Sequence, residues 1–398
     1  MAELLVPVGD IEKLEWAIAY GADSVYFGMK DFSLRSFAGN FDIDQADTAL
    51  KLLHKNGKKG YVTLNIYPYS NEYEDIISLA KKLEEMHSDA FIVSDLGLIS
   101  ELKKNKIKTP IHISTQANTM SYQTILAYGE LGATRVNLAR ELSLEQIKDI
   151  QKNLNKKVET EVFIHGSVCF SYSGRCAISD YMTGRKANRG ECTHPCRWKY
   201  SLVEETREGQ YYPVFEDNRG LYFFNNKDLA LFPFVEELVN AGVNSFKIEG
   251  RMKTVHYIAS VTSLYRNILN GKKISTEEGF DLLSRVSNRG YSYGFMKGSV
   301  GPEDYSQGEN NTHSNSTFVA VFSEKTKEGT FIKVRNRIFA GDKLEVLSPG
   351  GVVTYIHIPK PIIKKDLSKV DVVHNGDEIF VVDNLLPYSL LRKVKEDI

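Results

Sequence analysis

The chain has 398 residues, 42% hydrophobic and 25% charged, with a formal net charge of −1. That length holds two or three domains of about 100–200 residues each, and the composition is that of a globular protein rather than a disordered one. Near-neutral charge excludes a global pull toward nucleic acid or anionic lipid, and no run approaches the roughly 20 apolar residues that cross a bilayer. The opening Met1-Ala2-Glu3-Leu4-Leu5-Val6 is too short an apolar run for a signal peptide, so a cytoplasmic protein without membrane contact is expected.

The first two-thirds of the chain alternates short β-rich runs with helical patterns. Strands are predicted at 4–8, 24–28, 60–66, 90–94, 111–115, 135–139, 158–165, 221–224 and 245–249. Tyr73, Ile76, Ile77, Ala80 and Leu83 recur at helical spacing. Ser143 and Gln146 have capping-box spacing ahead of Ile147, Ile150 and Leu154. A weak repeat runs through this region: Gly21, Gly132 and Gly242 each stand just past a helical pattern and just before an apolar strand. Glycine suits the left-handed position beyond a helix C-terminus. Alternating strands and helices imply parallel pairing through right-handed crossovers, and about eight units read as a (β/α)8 TIM-barrel-like domain. Nine strands are one too many for that barrel, so one lies outside it. A doubly wound open sheet is the alternative, but no Gly-x-Gly-x-x-Gly turn follows the first strand.

Beyond Gly271 the pattern changes. Residues 276–286 read as a helix capped by Ser275 with Glu278, and 288–295 as a Gly- and Tyr-rich linker. Short strands are then predicted at 318–322, 330–334, 343–346, 352–358 and 378–382, with turn signals at Gly341-Asp342 and Asn375-Gly376-Asp377. The expected division is a catalytic domain over 1–272 with a cysteine insertion at 166–200, a linker over 273–314, and a small all-β barrel over 315–398.

All four cysteines lie in one 28-residue window, Cys169-x6-Cys176-x15-Cys192-x3-Cys196. Disulfides need an oxidising compartment, for which nothing here speaks. Zinc takes four thiolates readily, but through close Cys pairs, and only Cys192 with Cys196 approaches that spacing. An iron–sulfur cluster accepts looser spacing. Gly166, Gly174 and Gly190 allow close backbone approach to sulfur, and Arg175, Arg189 and Arg197 either offset thiolate charge or are surface charges or phosphate contacts. Cys169 falls just past a barrel strand, on the face where active sites of such folds sit.

The stretch Glu161-Val162-Phe163-Ile164-His165-Gly166-Ser167-Val168-Cys169, followed by Gly174-Arg175-Cys176-Ala177-Ile178-Ser179, resembles the signature of peptidase family U32. So do the opening Glu3–Gly9, Asn226-Lys227-Asp228-Leu229, Lys247–Lys253 and Asn288–Gly294. The resemblance covers nearly the whole chain, including the C-terminal β domain. It implies either of two activities. Some members are described as collagenase-like peptidases. Others are oxygen-independent hydroxylases with a 4Fe–4S cluster on four cysteines, here Cys169, Cys176, Cys192 and Cys196. Among these are enzymes acting on ribosomal RNA, on ubiquinone precursors, and on tRNA, where wobble uridine becomes 5-hydroxyuridine with prephenate as hydroxyl source. The single-chain architecture most resembles the tRNA-modifying group, so tRNA and a small carboxylate co-substrate are the expected partners.

A peptidase finds little support in the residues: there is neither His-Glu-x-x-His nor Gly-x-Ser-x-Gly, and a thiolate that ligates metal is not free as a nucleophile. A scaffold whose metal only braces a loop is a third reading. For a hydroxylase, polar residues at predicted strand ends supply candidates. His165 and Glu249 are the expected acid–base residues, and Arg140 or Lys227 the expected carboxylate anchor. Glu141, Asn225, Gln116 and Asn65 are further substrate contacts. Arg185, Arg189, Arg197, Trp198 and Lys199 mix basic and aromatic character suited to RNA, with Trp198 or Tyr181 as a surface for an unpaired base.

Overall fold

The computed structural model describes residues 2–33, 40–154, 157–169, 171–173, 175–197, 215–217, 220–222, 226–300, 304 and 312–395. The chain divides into two compact units: Met1–Leu14, Ala22–Met252 and Arg289–Thr312 form the first, and Glu15–Gly21, Lys253–Asn288 and His313–Ile398 the second.

Seven apolar strands pair side by side in chain order, all parallel: β1 (Glu3–Pro7), β2 (Ser24–Gly28), β3 (Lys59–Leu64), β4 (Ala90–Val93), β5 (Ile111–Ile113), β6 (Ala133–Asn137) and β7 (Glu159–Gly166). Three short strands follow. β8 (Phe215–Asp217) and β9 (Gly220–Tyr222) form a separate hairpin, and β10 (Asp228–Ala230) runs antiparallel to the end of β7. β11 (Ser245–Ile248) then pairs in parallel with both β7 and β1, closing an eight-stranded barrel. β12 (Tyr291–Ser292) lies beside β10. Helices α1 (Ile11–Ala19), α2 (Ile43–Lys55), α3 (Tyr73–Glu85), α4 (Leu96–Lys104), α5 (Tyr122–Glu130) and α6 (Leu144–Asn153) follow the first six strands in turn. The β7-to-β11 crossover carries α7 (Ile178–Thr183) and α8 (Val235–Ala241); α9 (Val255–Leu269) and α10 (Thr276–Ser284) come after β11. No helix among the described residues is long and apolar enough to cross a membrane.

Local signals act as expected. Ile76, Ile77, Ala80 and Leu83 are the buried face of α3, and Ser143 and Gln146 close a reciprocal capping box on α6. Gly132 and Gly242 take φ of +95° and +101°, the left-handed geometry that ends a helix ahead of the next strand. Eight of the nine predicted barrel-domain strands are barrel strands. The ninth, 221–224, is not: Leu221 and Tyr222 belong to β9, whose backbone bonds are met by β8, and Phe223 and Phe224 lie outside the described residues.

The barrel interior is charged as well as apolar. Glu161 on β7 accepts from Lys247 Nζ (2.9 Å), Asn137 Nδ2 (2.7 Å) and Ser245 Oγ (3.2 Å). Arg135 on β6 lies 3.5 Å from Glu161 and donates to Glu3 and Glu159, each at 2.6 Å. Burial pushes the Glu161 carboxyl up, but the Lys247 and Arg135 charges outweigh it and hold the group below its ordinary range.

In the second unit, an antiparallel sheet runs in the order Val352–His357, Lys343–Ser348, Leu390–Val394, Ser316–Lys325, Thr330–Val334, Glu378–Val381, Ile362–Lys364 and Lys369–Val370. Its core is aliphatic, with Val319, Ile332, Val334, Leu344, Val346, Ile379 and Leu391 all but inaccessible. The predicted strands are all present. Leu390–Val394 escaped prediction because Arg392 interrupts its apolar pattern; that side chain is 1% exposed and bonds Glu345 at 2.6 Å.

Candidate active site

The end of β7 sets the site. Gly166 has φ +108°, and a Cβ there would stand 2.5 Å from the Glu249 carbonyl oxygen, so only glycine lets β7 close against the end of β11. The chain then turns through Ser167 and Val168 to Cys169. Three contacts hold that turn. Arg140 Nη1 donates to the Ser167 carbonyl (2.9 Å), with its guanidinium 4.1 Å from the Phe163 ring centroid. Ser167 Oγ donates to Asp228 Oδ1 (3.2 Å), and Arg289 Nη2 donates to Ser167 Oγ (2.9 Å). Arg289 and Asp228 also form an ion pair almost out of contact with water.

Arg140, Val168 and Cys169 border a cavity of about 410 Å³. Arg140, Glu141, Arg175, Asn226, Lys227 and Asp304 give it polar walls, while Met120, Leu229, Phe295 and Val300 give it apolar ones; Cys169 lines it as well. Asn226 Nδ2 donates to the Cys169 carbonyl at 3.2 Å. Burial raises the pKa of Glu141, which therefore keeps its proton to a higher pH than an exposed glutamate does. A small anion with an apolar body matches this lining, because it includes three cations, Arg140, Arg175 and Lys227, together with apolar side chains.

The sequence-predicted residues separate into groups. Arg140, Glu141, Lys227 and Cys169 meet at the cavity. His165 and Glu249 are neighbours on paired strands, the Glu249 amide donating to the His165 carbonyl (2.8 Å). His165 is 1% exposed with its ring 5.6 Å from that of Tyr291, and Glu249 accepts from Tyr26 Oη (3.3 Å); the cavity lining includes neither. Asn65 and Gln116 bond each other: Gln116 Oε1 accepts from Asn65 Nδ2 (2.9 Å), Ser94 Oγ (2.9 Å) and Ser114 Oγ (2.7 Å), a hub that ties three strand ends together. Arg189 pairs with both carboxylate oxygens of Glu72 and donates to the Tyr67 carbonyl (3.0 Å), pinning the cysteine segment to the β3–α3 loop. Arg185 is exposed. Gly174, Trp198, Lys199, Asn225 and the side chain of Arg197 lie outside the described residues.

Sequence reading missed Ser167, Asp228 and Arg289 as a unit. Asp228 and Arg289 each fall in a stretch that carries the family resemblance, but no local pattern links residues so far apart in the chain.

None of the four cysteines is in a disulfide: Cys169 is exposed, and Cys176, Cys192 and Cys196 are half-buried. The His194 amide donates to Cys192 Sγ (3.4 Å), from a backbone with φ +56°. The donor set fits an iron–sulfur cluster in its chemistry, with four thiols on one segment and an amide already directed at sulfur. No three Cys, His, Asp or Glu side chains among the described residues stand together in a metal-holding group, so ligation requires the thiols to converge.

Comparison with known proteins places these features in a family. The description "Peptidase family U32" matches residues 9–306, and "Peptidase family U32 C-terminal domain" matches residues 314–392. A protein of Escherichia coli (strain K12) named tRNA hydroxylation protein P is 34% identical, with 89% of this chain and 87% of that protein covered. In Bacillus subtilis (strain 168), tRNA hydroxylation protein P1 is 31% identical over 99% of this chain and 95% of its own. A Porphyromonas gingivalis protein named Collagenase is 30% identical, covering 74% and 73%. With its barrel and its C-terminal β region both matched, the chain belongs to peptidase family U32.

Proposed function

We propose that this protein is an oxygen-independent RNA hydroxylase that converts wobble uridine of tRNA to 5-hydroxyuridine, with prephenate as the hydroxyl source. The observation that carries this reading is the cavity at the end of β7, where Cys169 lines the same space as Arg140, Arg175 and Lys227. The similarity to proteins named for tRNA hydroxylation extends over nearly the full length of the chain.

Replacing a ring C–H by C–OH is an oxidation, which protein side chains alone do not perform. Cys169, Cys176, Cys192 and Cys196 would hold a 4Fe–4S cluster, which when bound supplies one-electron chemistry. The remaining roles fall to the cavity walls. Arg140 and Lys227 hold the carboxylates of the co-substrate, Arg140 already oriented by the Ser167 carbonyl and the Phe163 ring. Leu229 and Phe295 exclude water from its ring. Glu141, whose carboxyl pKa is raised by burial, lies beside Arg140 in the same lining.

Iron and acid-labile sulfide, measured on protein purified without oxygen, test the cofactor. About four of each is expected, lost in Cys169→Ala and Cys176→Ala. Zinc without sulfide would remove the redox chemistry and with it this function. The substrate is tested by mass spectrometry of tRNA nucleosides from a deletion strain, where 5-hydroxyuridine derivatives should disappear. An unchanged profile together with gelatin cleavage by the purified protein would replace this reading with the peptidase one.

A further inference from the structure

Two tyrosines stand in solvent beside the cysteine segment. Tyr181 on α7 is 89% exposed, and Tyr69, on the loop between β3 and α3, is 48% exposed. Tyr69 is fixed: its amide donates to Glu72 Oε2 (2.6 Å), and the Arg189 guanidinium stands 4.4 Å from its ring centroid. Lys186 Nζ lies 5.4 Å from that centroid and donates to Tyr69 Oη at 2.8 Å. Glu72 locks Arg189 in turn, so ring and cations are ordered before any ligand arrives. The same segment reaches the cavity, because Arg175 and Cys169 line it. Between Ser171 and Glu191 it carries four cations (Arg175, Arg185, Lys186, Arg189) against two anions, Asp180 and Glu191.

We infer that Tyr69 and Tyr181, with Lys186 and Arg189, form a platform for the unpaired nucleotides that flank the one entering the cavity. This rests on the RNA reading above and extends it to the residues that receive the loop. Unstacked bases of an RNA loop present π-faces and phosphates together; Tyr69 held against Lys186 and Arg189 matches both, and Tyr181 on the same segment as those cations offers a second exposed ring. Neither tyrosine requires a particular base, so the platform holds the loop without reading its sequence.

The test is fluorescence anisotropy with a labelled, unmodified anticodon stem–loop, using cluster-loaded protein and with iron content measured on every variant. Tyr181→Ala and Tyr69→Leu should each weaken binding roughly tenfold, the loss expected for one base stack. Tyr181→Trp should keep full affinity, and Lys186→Ala should lower the salt slope by about one. Wild-type protein that binds the loop no better than either tyrosine variant would overturn the platform and leave the RNA reading standing. Wild-type protein that does not bind the loop at all would overturn both. Loss of iron together with RNA binding in both variants would assign the tyrosines to the fold of the segment and overturn it too.

Discussion

Asp228 and Arg289, 61 residues apart in the chain, share a buried ion pair that also grips Ser167, two residues before Cys169. Removing one member of such a pair leaves an uncompensated charge in the interior, at a cost of about 3–5 kcal/mol. Asp228→Asn should therefore lower the denaturant midpoint sharply. The double variant Asp228→Leu with Arg289→Met, which removes both charges at similar volume, should be more stable than Asp228→Asn; a double variant no better would show that the pair's charges are not what holds the turn. The polar strand-end residues were legible as types in the sequence, but their division of labour was not. Gln116, expected as a substrate contact, has a carbonyl oxygen that accepts three side-chain donors from neighbouring strand ends. Arg140 gave the same signal and does line the cavity.

Among the elements, β7 carries the most function, and its last residue shows why glycine stands there. Gly166→Ala would put a Cβ 2.5 Å from the Glu249 carbonyl oxygen at a φ of +108°, a double penalty of clash and strain on the order of 2 kcal/mol or more. We expect Gly166→Ala to lower the melting temperature by several degrees and to expose the amides of β7 and β11 to faster hydrogen exchange. Unchanged exchange there would show that the strand ends adjust without cost. Helix and strand identities were readable here because each periodicity repeats within a few residues. β10 was not, since a three-residue strand offers too little pattern and exists only because β7 presents an open edge to it.

For the molecule as a whole, the two compact units each carry their own buried charges. In the second unit His256 is 7% exposed, its Nε2 3.3 Å from Arg392 Nη1 and its ring stacked on Phe318. Burial and then the Arg392 charge lower its pKa to about 3. The folded protein thus keeps this histidine neutral, while the unfolded chain takes up a proton below about 6.5. Stability from this group is complete above that value and falls as the pH drops through the interval down to about 3. Melting curves between pH 7 and pH 5 should show the decline, and His256→Gln should flatten it. An equal decline in both proteins would move the acid sensitivity elsewhere.

By itself the sequence determined the alternation of strand and helix, the helix stops at Gly132 and Gly242, the β-rich C-terminal region, and the gathering of all four cysteines in one segment. Each rests on interactions within a few residues along the chain. Tertiary structure alone decided that β11 closes the barrel onto β1, that Leu221 and Tyr222 pair in a separate hairpin, and that Glu161 and Lys247 share the barrel interior. It also decided that Arg140, Cys169 and Lys227 border one cavity while Asn65 and Gln116 serve each other. These are pairings between distant residues, set by the closure of the sheet and by the need of every buried charge for a counter-charge, and neither leaves a periodic trace in the sequence.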